Sequence, residues 1–451
     1  MKKILSILLC MMLMLGMAAG CSNGGEKSSG KGTGETNGAK TEDKAKSGSG
    51  GRKTVEFWHS MAGKNGELVD EMVKNYNSQQ DDVEIVATFQ GNYWESASKA
   101  QSAASVGESP DLLMMGADHV SIFAKEDGVL ADLKPYMDKA GLKKEDFVDA
   151  FIWDYYMDDG SVIAIPFGRS TPVMYVNNDM LAEKGLKAPT NWDELKSTAE
   201  AFAIPDKQYG VGIPGADTWY WFMIVAQAGG QFINDERTGL GCLEDGTMYE
   251  GFKYLQDLHN SGAMFFGPVT ESGTVVQQMF LEQKFPLFIN SIAGLAAVDE
   301  GADFNYSVEM VPEGKKRVVP TGGASLVILD SSERKDETWD FMQWLIEDPK
   351  GSAYFVSNVG YLPYTKQMVE SEPVQALLKK NPNYQKGIDQ LQFASDKGHR
   401  VPQIGSMLND ILETVDAIMY DNDDVQKQID ILAPKVEEAL KEDQYPVHKV
   451  I

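Results

Sequence analysis

The chain has 451 residues, of which 43% are hydrophobic and 24% are charged, and its formal net charge at pH 7 is −26. A chain of this length can form two or three domain-sized units, and such an acidic excess argues against nucleic acid and anionic lipid as partners. The cysteines are Cys10, Cys21 and Cys242, too few for a disulfide framework or a cysteine metal cluster, and the sequence predicts neither metal nor cofactor.

The N-terminus has the layout of a secretory signal. Lys2 and Lys3 form a basic start, residues 4–15 form an apolar core, and small residues at 18–20 precede Cys21. The core is too short to span a bilayer, so this order predicts a signal peptide over residues 1–20. A cysteine directly after the small residues resembles a bacterial lipoprotein signal, in which the thiol is acylated. Cys21 is therefore the predicted lipidation site, and an incidental cysteine behind an ordinary signal is the alternative.

The next segment has the composition of a linker. Residues 22–52 contain no aromatic residue and no Val, Ile, Leu or Met. Such a segment cannot bury enough apolar surface to offset the entropy lost on ordering, so residues 21–52 are predicted to be a lipidated cysteine and a flexible linker. No later apolar run is long enough to span a bilayer. We therefore expect the protein on the extracytoplasmic face of the cell membrane, anchored only through lipid on Cys21.

The remaining sequence alternates strand and helix patterns, which predicts an α/β fold with a largely parallel sheet. The predicted strands are 54–58, 83–89, 111–115, 163–166, 173–177, 286–290 and 325–329. Helical spacing of apolar residues covers 68–76, 94–106, 193–202 and 250–260, and later 337–347, 351–355, 403–419 and 425–441. In open α/β sheets ligands bind beyond the carboxyl ends of strands, so polar and aromatic residues at those ends are the binding candidates.

Short motifs occur in a fixed order along this core. They are FWHSM at 57–61, GNY at 91–93, STPV at 170–173, NWDEL at 191–195, GGASL at 322–326, GYLP at 360–363 and PQI at 402–404. With these motifs the chain resembles the extracellular solute-binding proteins of the sugar-type class, the receptor components of ATP-driven (ABC) importers. Within that class it is most similar to the glycerol-3-phosphate-binding members.

The resemblance implies an α/β fold of two lobes, the type II, maltose-binding-protein-like periplasmic-binding-protein fold, with a hinge and an interlobe cleft. Lobe one is expected over 53–166 and 292–325, and lobe two over 167–291 and 326–451. The implied function is to capture a small polar solute, glycerol-3-phosphate or a glycerophosphodiester, and to deliver it to ABC permease subunits. The protein is expected to be a monomer, and closure of the lobes is expected to be driven by ligand.

The resemblance also implies ligand-contacting residues. In that family the Tyr of GNY, the Ser before TP, the glycines of GGASL and the Tyr of GYLP line the ligand. Here these are Tyr93, Ser170, Gly322, Gly323 and Tyr361. Tyrosine offers a flat face and a hydroxyl, serine donates a hydrogen bond, and glycine lets backbone N–H groups approach an oxyanion closely.

Two family positions differ in this chain. The glutamate that holds glycerol hydroxyls in the family falls at Ala117, with Asp118 next to it. The arginine that pairs with phosphate is absent, and Leu408 lies near its place. Because arginine is the preferred bidentate partner of phosphate, Arg169 and Arg400 are the candidates to supply that charge.

A neutral sugar or oligosaccharide is the alternative ligand. Sugars stack on aromatic faces, and Asp118 and Arg169 could bind their hydroxyls. The aromatic residues that could provide such faces are Trp58, Trp94, Trp219, Tyr220 and Trp221. Trp219 and Trp221 are expected in a polar loop and point in different directions, so we expect only one to touch ligand. The candidates also include His59 and Ser291, which follow predicted strands.

No catalytic motif is present, and the five histidines are scattered. The sequence therefore predicts a binding protein and not an enzyme. Two other classes remain open: a secreted glycan-active enzyme, whose paired carboxylates sequence alone does not reveal among 67 acidic residues, and a structural or chaperone-like lipoprotein. Turnover of a glycoside would favour the first, and stabilisation by a peptide but by no small solute would favour the second.

Overall fold

Two five-stranded sheets form the framework of the computed structural model, which describes residues 51–124, 128–157, 159–205, 207–215, 218–243, 245–267, 272–395 and 404–441. The predicted signal peptide, Cys21, nearly all of the linker and Arg400 lie outside these residues. The strands are β1 (Lys53–His59), β2 (Val83–Phe89), β3 (Leu112–Gly116), β4 (Ile165–Ser170), β5 (Pro172–Asn177), β6 (Val211–Pro214), β7 (Met264–Gly267), β8 (Leu287–Ser291), β9 (Tyr306–Glu309) and β10 (Gly322–Ile328).

Each sheet has a parallel part and an antiparallel part. The first sheet has the order β2-β1-β3-β10-β4, in which β1 is parallel to β2 and β3, and β10 is antiparallel to β3 and β4. The second has the order β7-β6-β8-β5-β9, in which β6 is parallel to β7 and β8, and β5 is antiparallel to β8 and β9. The parallel parts carry the helical crossovers that such strands require.

Helices cover both sheets. They are α1 (Gly63–Asn77), α2 (Tyr93–Ala104), α3 (Ala117–Phe123), α4 (Lys134–Ala140), α5 (Asp149–Ile152), α6 (Asn178–Glu183), α7 (Trp192–Phe202), α8 (Trp219–Gln227), α9 (Thr247–Asn260), α10 (Ser272–Leu281), α11 (Leu295–Gly301), α12 (Lys335–Glu347), α13 (Ser352–Val359), α14 (Lys366–Val369), α15 (Glu372–Lys380), α16 (Tyr384–Gln390), α17 (Ile404–Met419) and α18 (Val425–Lys441). In the described part of the chain, none of them has both the length and the apolar character needed to cross a bilayer.

The hydrophobic patterns explain most of these elements. Every residue of β3, β4 and β5 is buried, as expected of strands covered on both faces. In α1, five apolar residues recur at helical spacing and are buried against the first sheet. The seven strands and the helices predicted from the sequence are confirmed, with boundaries shifted by a few residues. The elements that were not predicted are the short strands β6, β7 and β9 and the helices α3, α4, α5, α6, α8, α10, α11, α14, α15 and α16.

The two sheets are joined at one edge of each. Thr171 alone separates β4 of the first sheet from β5 of the second. Its backbone carbonyl accepts a hydrogen bond from the amide of Ile292 at 3.0 Å, and its hydroxyl donates to the carbonyl of Pro320 at 2.9 Å. These contacts link Thr171 to the residues just after β8 and just before β10. Three chain segments therefore meet where the chain passes from the first sheet to the second.

The hydrophobic core has two parts. One lies over the first sheet, includes apolar residues of α12, α13 and α15, and extends to residues of β5, β8 and β9 in the second sheet. The other joins the second sheet to α17 and α18. The lobe boundaries expected from the sequence stay a prediction. The structure adds that β10 continues to Ile328 and that α12 packs on β1 and β10 of the first sheet.

Candidate ligand-binding site

A cavity of about 320 Å³ opens between the two sheets. It lies at the carboxyl ends of β3, β4 and β8 and at the start of the antiparallel strand β10. This is where ligands bind in open α/β sheets, and the volume suits a small solute. Its lining residues are Tyr93, Trp94, Gly116, Ala117, Asp118, His119, Ser170, Thr218, Trp219, Phe222, Ser291, Thr321, Gly322, Gly323, Tyr361 and Leu408.

A capped helix start presents two aromatic residues to the cavity. The side chain of Asn92 accepts a hydrogen bond from the amide of Glu95 at 2.9 Å, and Glu95 accepts one from the amide of Asn92 at 3.0 Å. This reciprocal capping fixes the first turn of α2, which carries Tyr93 and Trp94. Gly91 enters the turn at φ +97°, a conformation that favours glycine.

Tyr93 and Tyr361 both line the cavity, and each phenol influences the pKa of the other. Burial raises the pKa of both phenols above the ordinary value, so both keep their protons at neutral pH. The ring of Tyr361 stacks on Phe355 at a centroid distance of 5.9 Å. The pair therefore offers a ligand protonated hydroxyls on rings that are held in place by packing.

Two glycines bring the backbone of β10 to the cavity. Gly322 pairs with Ser170 in the first sheet, and a Cβ added to Gly322 would lie 2.9 Å from the ring of Trp219. Gly323 has φ +98°, and a Cβ there would lie 2.0 Å from the carbonyl oxygen of Gly168, at the point where the register of β4 and β10 shifts. Only glycine fits these close approaches, and they leave the strand backbone accessible from the cavity.

Arg169 lies behind this backbone and does not line the cavity. Its side chain is fully buried, with Nη2 donating to Thr321 Oγ1 at 2.8 Å and Nη1 donating to Tyr155 Oη at 3.0 Å. The guanidinium also lies 5.1 Å from the ring centre of Phe151 and 3.4 Å from Ser325 Oγ. Among the described residues, no carboxylate lies within ion-pair distance of it. The contact with a ligand expected from the sequence is therefore wrong in its geometry, because the side chain turns into the first sheet.

The two tryptophans of α8 have different surroundings. Trp219 lines the cavity, whereas Trp221 is fully buried and contacts the rings of Phe252 and Phe266. Of the two, only Trp219 lines the cavity, and the expectation that only one of them touches ligand stays a prediction. The polar loop predicted for them is wrong, because a helix begins at Trp219 and its apolar residues are buried on nearly every side.

A histidine on α3 also faces the cavity. His119 is 5% exposed, and its ring lies edge-on to Trp94 with centroids 4.0 Å apart. Neither ring nitrogen has a hydrogen-bond partner among the described residues. Burial lowers the pKa of His119 below its ordinary value, and the Asp118 carboxylate beside it partly opposes that shift.

The structure brings most of the predicted site residues together. Eight of them line the cavity: Tyr93, Asp118, Ser170, Trp219, Ser291, Gly322, Gly323 and Tyr361. Three besides Arg169 do not. Trp58 is half-buried against the core of the first sheet, His59 is buried beside Phe57 and Phe89, and Trp221 is buried in the core of the second sheet.

The candidate list omitted several lining residues. His119, Thr218, Phe222, Thr321 and Leu408 were not among the predicted binding residues, whereas Trp94 was named as a stacking candidate. A signal existed for His119, since it lies three residues beyond the end of β3. Leu408 places an apolar side chain in the cavity wall.

Comparison with known proteins places the chain in a family. The family model described as bacterial extracellular solute-binding protein matches residues 71–385. The sn-glycerol-3-phosphate-binding periplasmic protein UgpB of Escherichia coli K12 is 27% identical over 395 residues, which cover 80% of this chain and 87% of that protein.

Solved structures have the same fold. UgpB from Mycobacterium tuberculosis in complex with glycerophosphocholine superposes with a TM-score of 0.77 at 24% identity, covering 88% of this chain and 99% of that one. The GacH receptor of Streptomyces glaucescens, solved unliganded and with acarbose, gives 0.76 at 18% identity, covering 87% and 100%. The predicted two-lobed α/β fold is confirmed by these likenesses. Since the family model spans more than half of the sequence, the chain belongs to the bacterial extracellular solute-binding protein family.

Proposed function

We propose that this chain is the substrate-binding component of an ABC importer, which captures a small polar solute between its two lobes. The observation that carries the proposal is the cavity, because both sheets contribute to its wall at the point where the chain crosses between them. A solute that contacts both sides would favour the closed arrangement, since a ligand shifts a conformational equilibrium by its difference in affinity for the two states.

We propose glycerol-3-phosphate or a glycerophosphodiester as the solute. The relative UgpB of Escherichia coli is named for glycerol-3-phosphate, and the structure of its Mycobacterium tuberculosis namesake contains glycerophosphocholine. In this chain the hydroxyls of Ser170 and Thr321 and the backbone at Gly322 and Gly323 converge on one part of the cavity. Behind them, Arg169 adds a positive charge that no described carboxylate neutralises. Such a set of donors suits an oxyanion.

A neutral sugar is the second candidate. Trp94, Trp219, Tyr93, Tyr361 and Phe222 line the cavity, and aromatic faces of this kind stack on sugar rings. No Lys or Arg side chain is among the lining residues that the structure describes, so a phosphate would have no direct ion pair with them. The similarity to UgpB over most of the chain favours the phosphate ester. The residues that line the cavity could bind either ligand.

The cellular setting belongs to the same proposal. We propose that residues 1–20 are a signal peptide and that acylated Cys21 holds the mature protein on the extracytoplasmic face of the membrane. The partners are then the solute and the permease subunits of the importer, and the protein acts as a monomer without cofactor and without catalysis. Loss of membrane association in a Cys21→Ala variant expressed in cells is the expected result. Unchanged association would contradict lipid anchoring.

Thermal unfolding against a small set of solutes tests the function. The soluble chain from residue 22 onward would be heated with glycerol-3-phosphate, glycerophosphocholine, inorganic phosphate, maltose and cello-oligosaccharides. A ligand at one hundred times its Kd adds about 2.7 kcal/mol, a shift of a few degrees for a chain of this size. A shift with the glycerol phosphates alone supports the first ligand, a shift with sugars alone supports the second, and no shift with any contradicts both.

A further inference from the structure

The cavity contains a buried imidazole whose hydrogen-bonding groups are unused. His119 is 5% exposed and lines the cavity, and neither Nδ1 nor Nε2 has a hydrogen-bond partner among the described residues. Buried polar groups in folded proteins are almost always paired, and each unpaired group costs about 1–3 kcal/mol. A histidine with two unpaired nitrogens at a cavity is therefore explained best by a partner that enters the cavity.

Packing, and not hydrogen bonding, holds this ring in position. The ring of Trp94 lies edge-on at a centroid distance of 4.0 Å, and the ring of Tyr93 lies at 6.4 Å. Gly116 leaves room for the imidazole, because a Cβ at that position would lie 2.7 Å from Nδ1 of His119. These contacts hold the ring in the cavity wall and leave both nitrogens without a hydrogen-bond partner among the described residues.

The chemistry of the ring limits what it can bind. Burial lowers the pKa of His119 below the ordinary value, so the neutral form prevails at pH 7. A neutral imidazole carries one N–H donor and one acceptor nitrogen. The matching partner both donates and accepts, as a hydroxyl group does, whereas a fully ionised phosphate offers acceptors only.

We infer that His119 binds a hydroxyl group of the solute, so that the wall formed by α2 and α3 recognises a polyol while the donors on β4 and β10 recognise its anionic group. The inference rests on the proposed function, since it adds a second recognition element to the same cavity.

The test compares two phosphate esters that differ in their hydroxyl groups. Affinities of glycerol-3-phosphate and n-propyl phosphate would be measured by calorimetry for the wild type, His119→Phe and His119→Gln. The Phe variant is expected to lose at least tenfold in affinity for glycerol-3-phosphate and less than threefold for n-propyl phosphate. The Gln variant, which keeps a donor and an acceptor, is expected to recover part of the loss.

Two controls separate binding from folding. Unliganded His119→Phe should unfold at the same temperature as the wild type or higher, because an apolar ring replaces two unpaired nitrogens. His59→Phe changes a buried histidine that does not line the cavity, and it should leave both affinities unchanged.

Each outcome has a separate meaning. An equal loss for both esters, or no loss for glycerol-3-phosphate, would overturn the role of His119. If the wild type binds neither ester but binds maltose or a cello-oligosaccharide, the proposed phosphate ligand fails, and the same variants are measured with that sugar. A sugar affinity unchanged in His119→Phe would then overturn the inference as well.

Discussion

Replacing the buried guanidinium behind the cavity should separate charged ligands from neutral ones. In Arg169→Met an unbranched apolar side chain of similar length fills the same space beside Phe151. Tyr155 and Ser325 can still hydrogen-bond to each other, so neither hydroxyl is left unpaired when the guanidinium is removed. The expected result is weaker binding of glycerol-3-phosphate with little change for any neutral solute that the protein binds.

The size of the effect follows from the geometry. Nη2 of Arg169 lies 2.8 Å from Thr321 Oγ1. A ligand oxygen hydrogen-bonded to Thr321 would add about 2.7 Å, which separates the two charges by about 5.5 Å. At an effective dielectric constant of about 20, unit charges at this distance interact by about 3 kcal/mol. The affinity for a phosphate ester should therefore fall about a hundredfold.

Calorimetric titration at two salt concentrations is the assay. Because the charge is buried, the wild-type affinity should change little between low and high salt, unlike an interaction between exposed charges. Arg169→Lys keeps the charge and serves as the control, with a smaller expected loss. Thr321→Val, which removes the intervening hydroxyl, should lose affinity in the same direction as Arg169→Met.

Two results would refute the reasoning about Arg169. One is an equal loss for glycerol-3-phosphate and for a neutral solute, which would indicate a structural role. The other is full phosphate affinity in Arg169→Met, which would show that the charge does not reach the ligand.

Other predictions concern the backbone and the core. Gly323→Ala should destabilise the fold at least twice as much as Gly141→Ala in urea unfolding. Both glycines have positive φ, so either alanine substitution costs about 1–2 kcal/mol of backbone strain. A Cβ at Gly323 would also lie 2.0 Å from the carbonyl oxygen of Gly168, whereas a Cβ at Gly141 would meet open space. Trp221→Ala should lose about 3–5 kcal/mol of unfolding free energy, because a large side chain is removed from the core. Cys242 is buried, and burial raises its pKa to about 12, so the native protein should not react with Ellman's reagent.

Contrary results are equally specific. Similar costs for the two glycine variants would mean that the β4–β10 crossing relaxes around the added methyl group. A small loss of unfolding free energy in Trp221→Ala would mean that the core of the second sheet collapses into the space left by the ring. Rapid labelling of Cys242 would indicate local opening near the start of α9.

Much of the fold could be predicted from the spacing of apolar residues and from the polar residues that flank each element. The strand 83–89 and the helix 425–441 match the structure to the residue, because each has a clear apolar period and polar flanks. Strands β6, β7 and β9 have four residues each, too few for an alternating pattern to stand out. Helix α8 was missed because its residues are apolar almost all round, so no helical period shows in the sequence.

The site was less predictable than the fold. Residues at strand ends, such as Ser170 and Ser291, could be placed because the rule for open sheets depends on chain position. The direction of Arg169 could not, because it depends on the hydroxyls of Tyr155 and Thr321, which come from distant parts of the chain. His119 lies just beyond the end of β3, but its surroundings, the rings of Tyr93 and Trp94, could not be foreseen from the sequence.

The place of β10 in the first sheet has a consequence for biosynthesis. This strand lies between β3 and β4, yet it is made long after them. About 150 residues separate it from β4, so a ribosome working at about 5–20 residues per second needs roughly ten to thirty seconds to supply it. During that interval no strand lies between β3 and β4, so the core over the first sheet is incomplete. For a chain that is exported, as we propose, late completion of the sheet keeps the emerging polypeptide unfolded and therefore able to thread through a translocation channel.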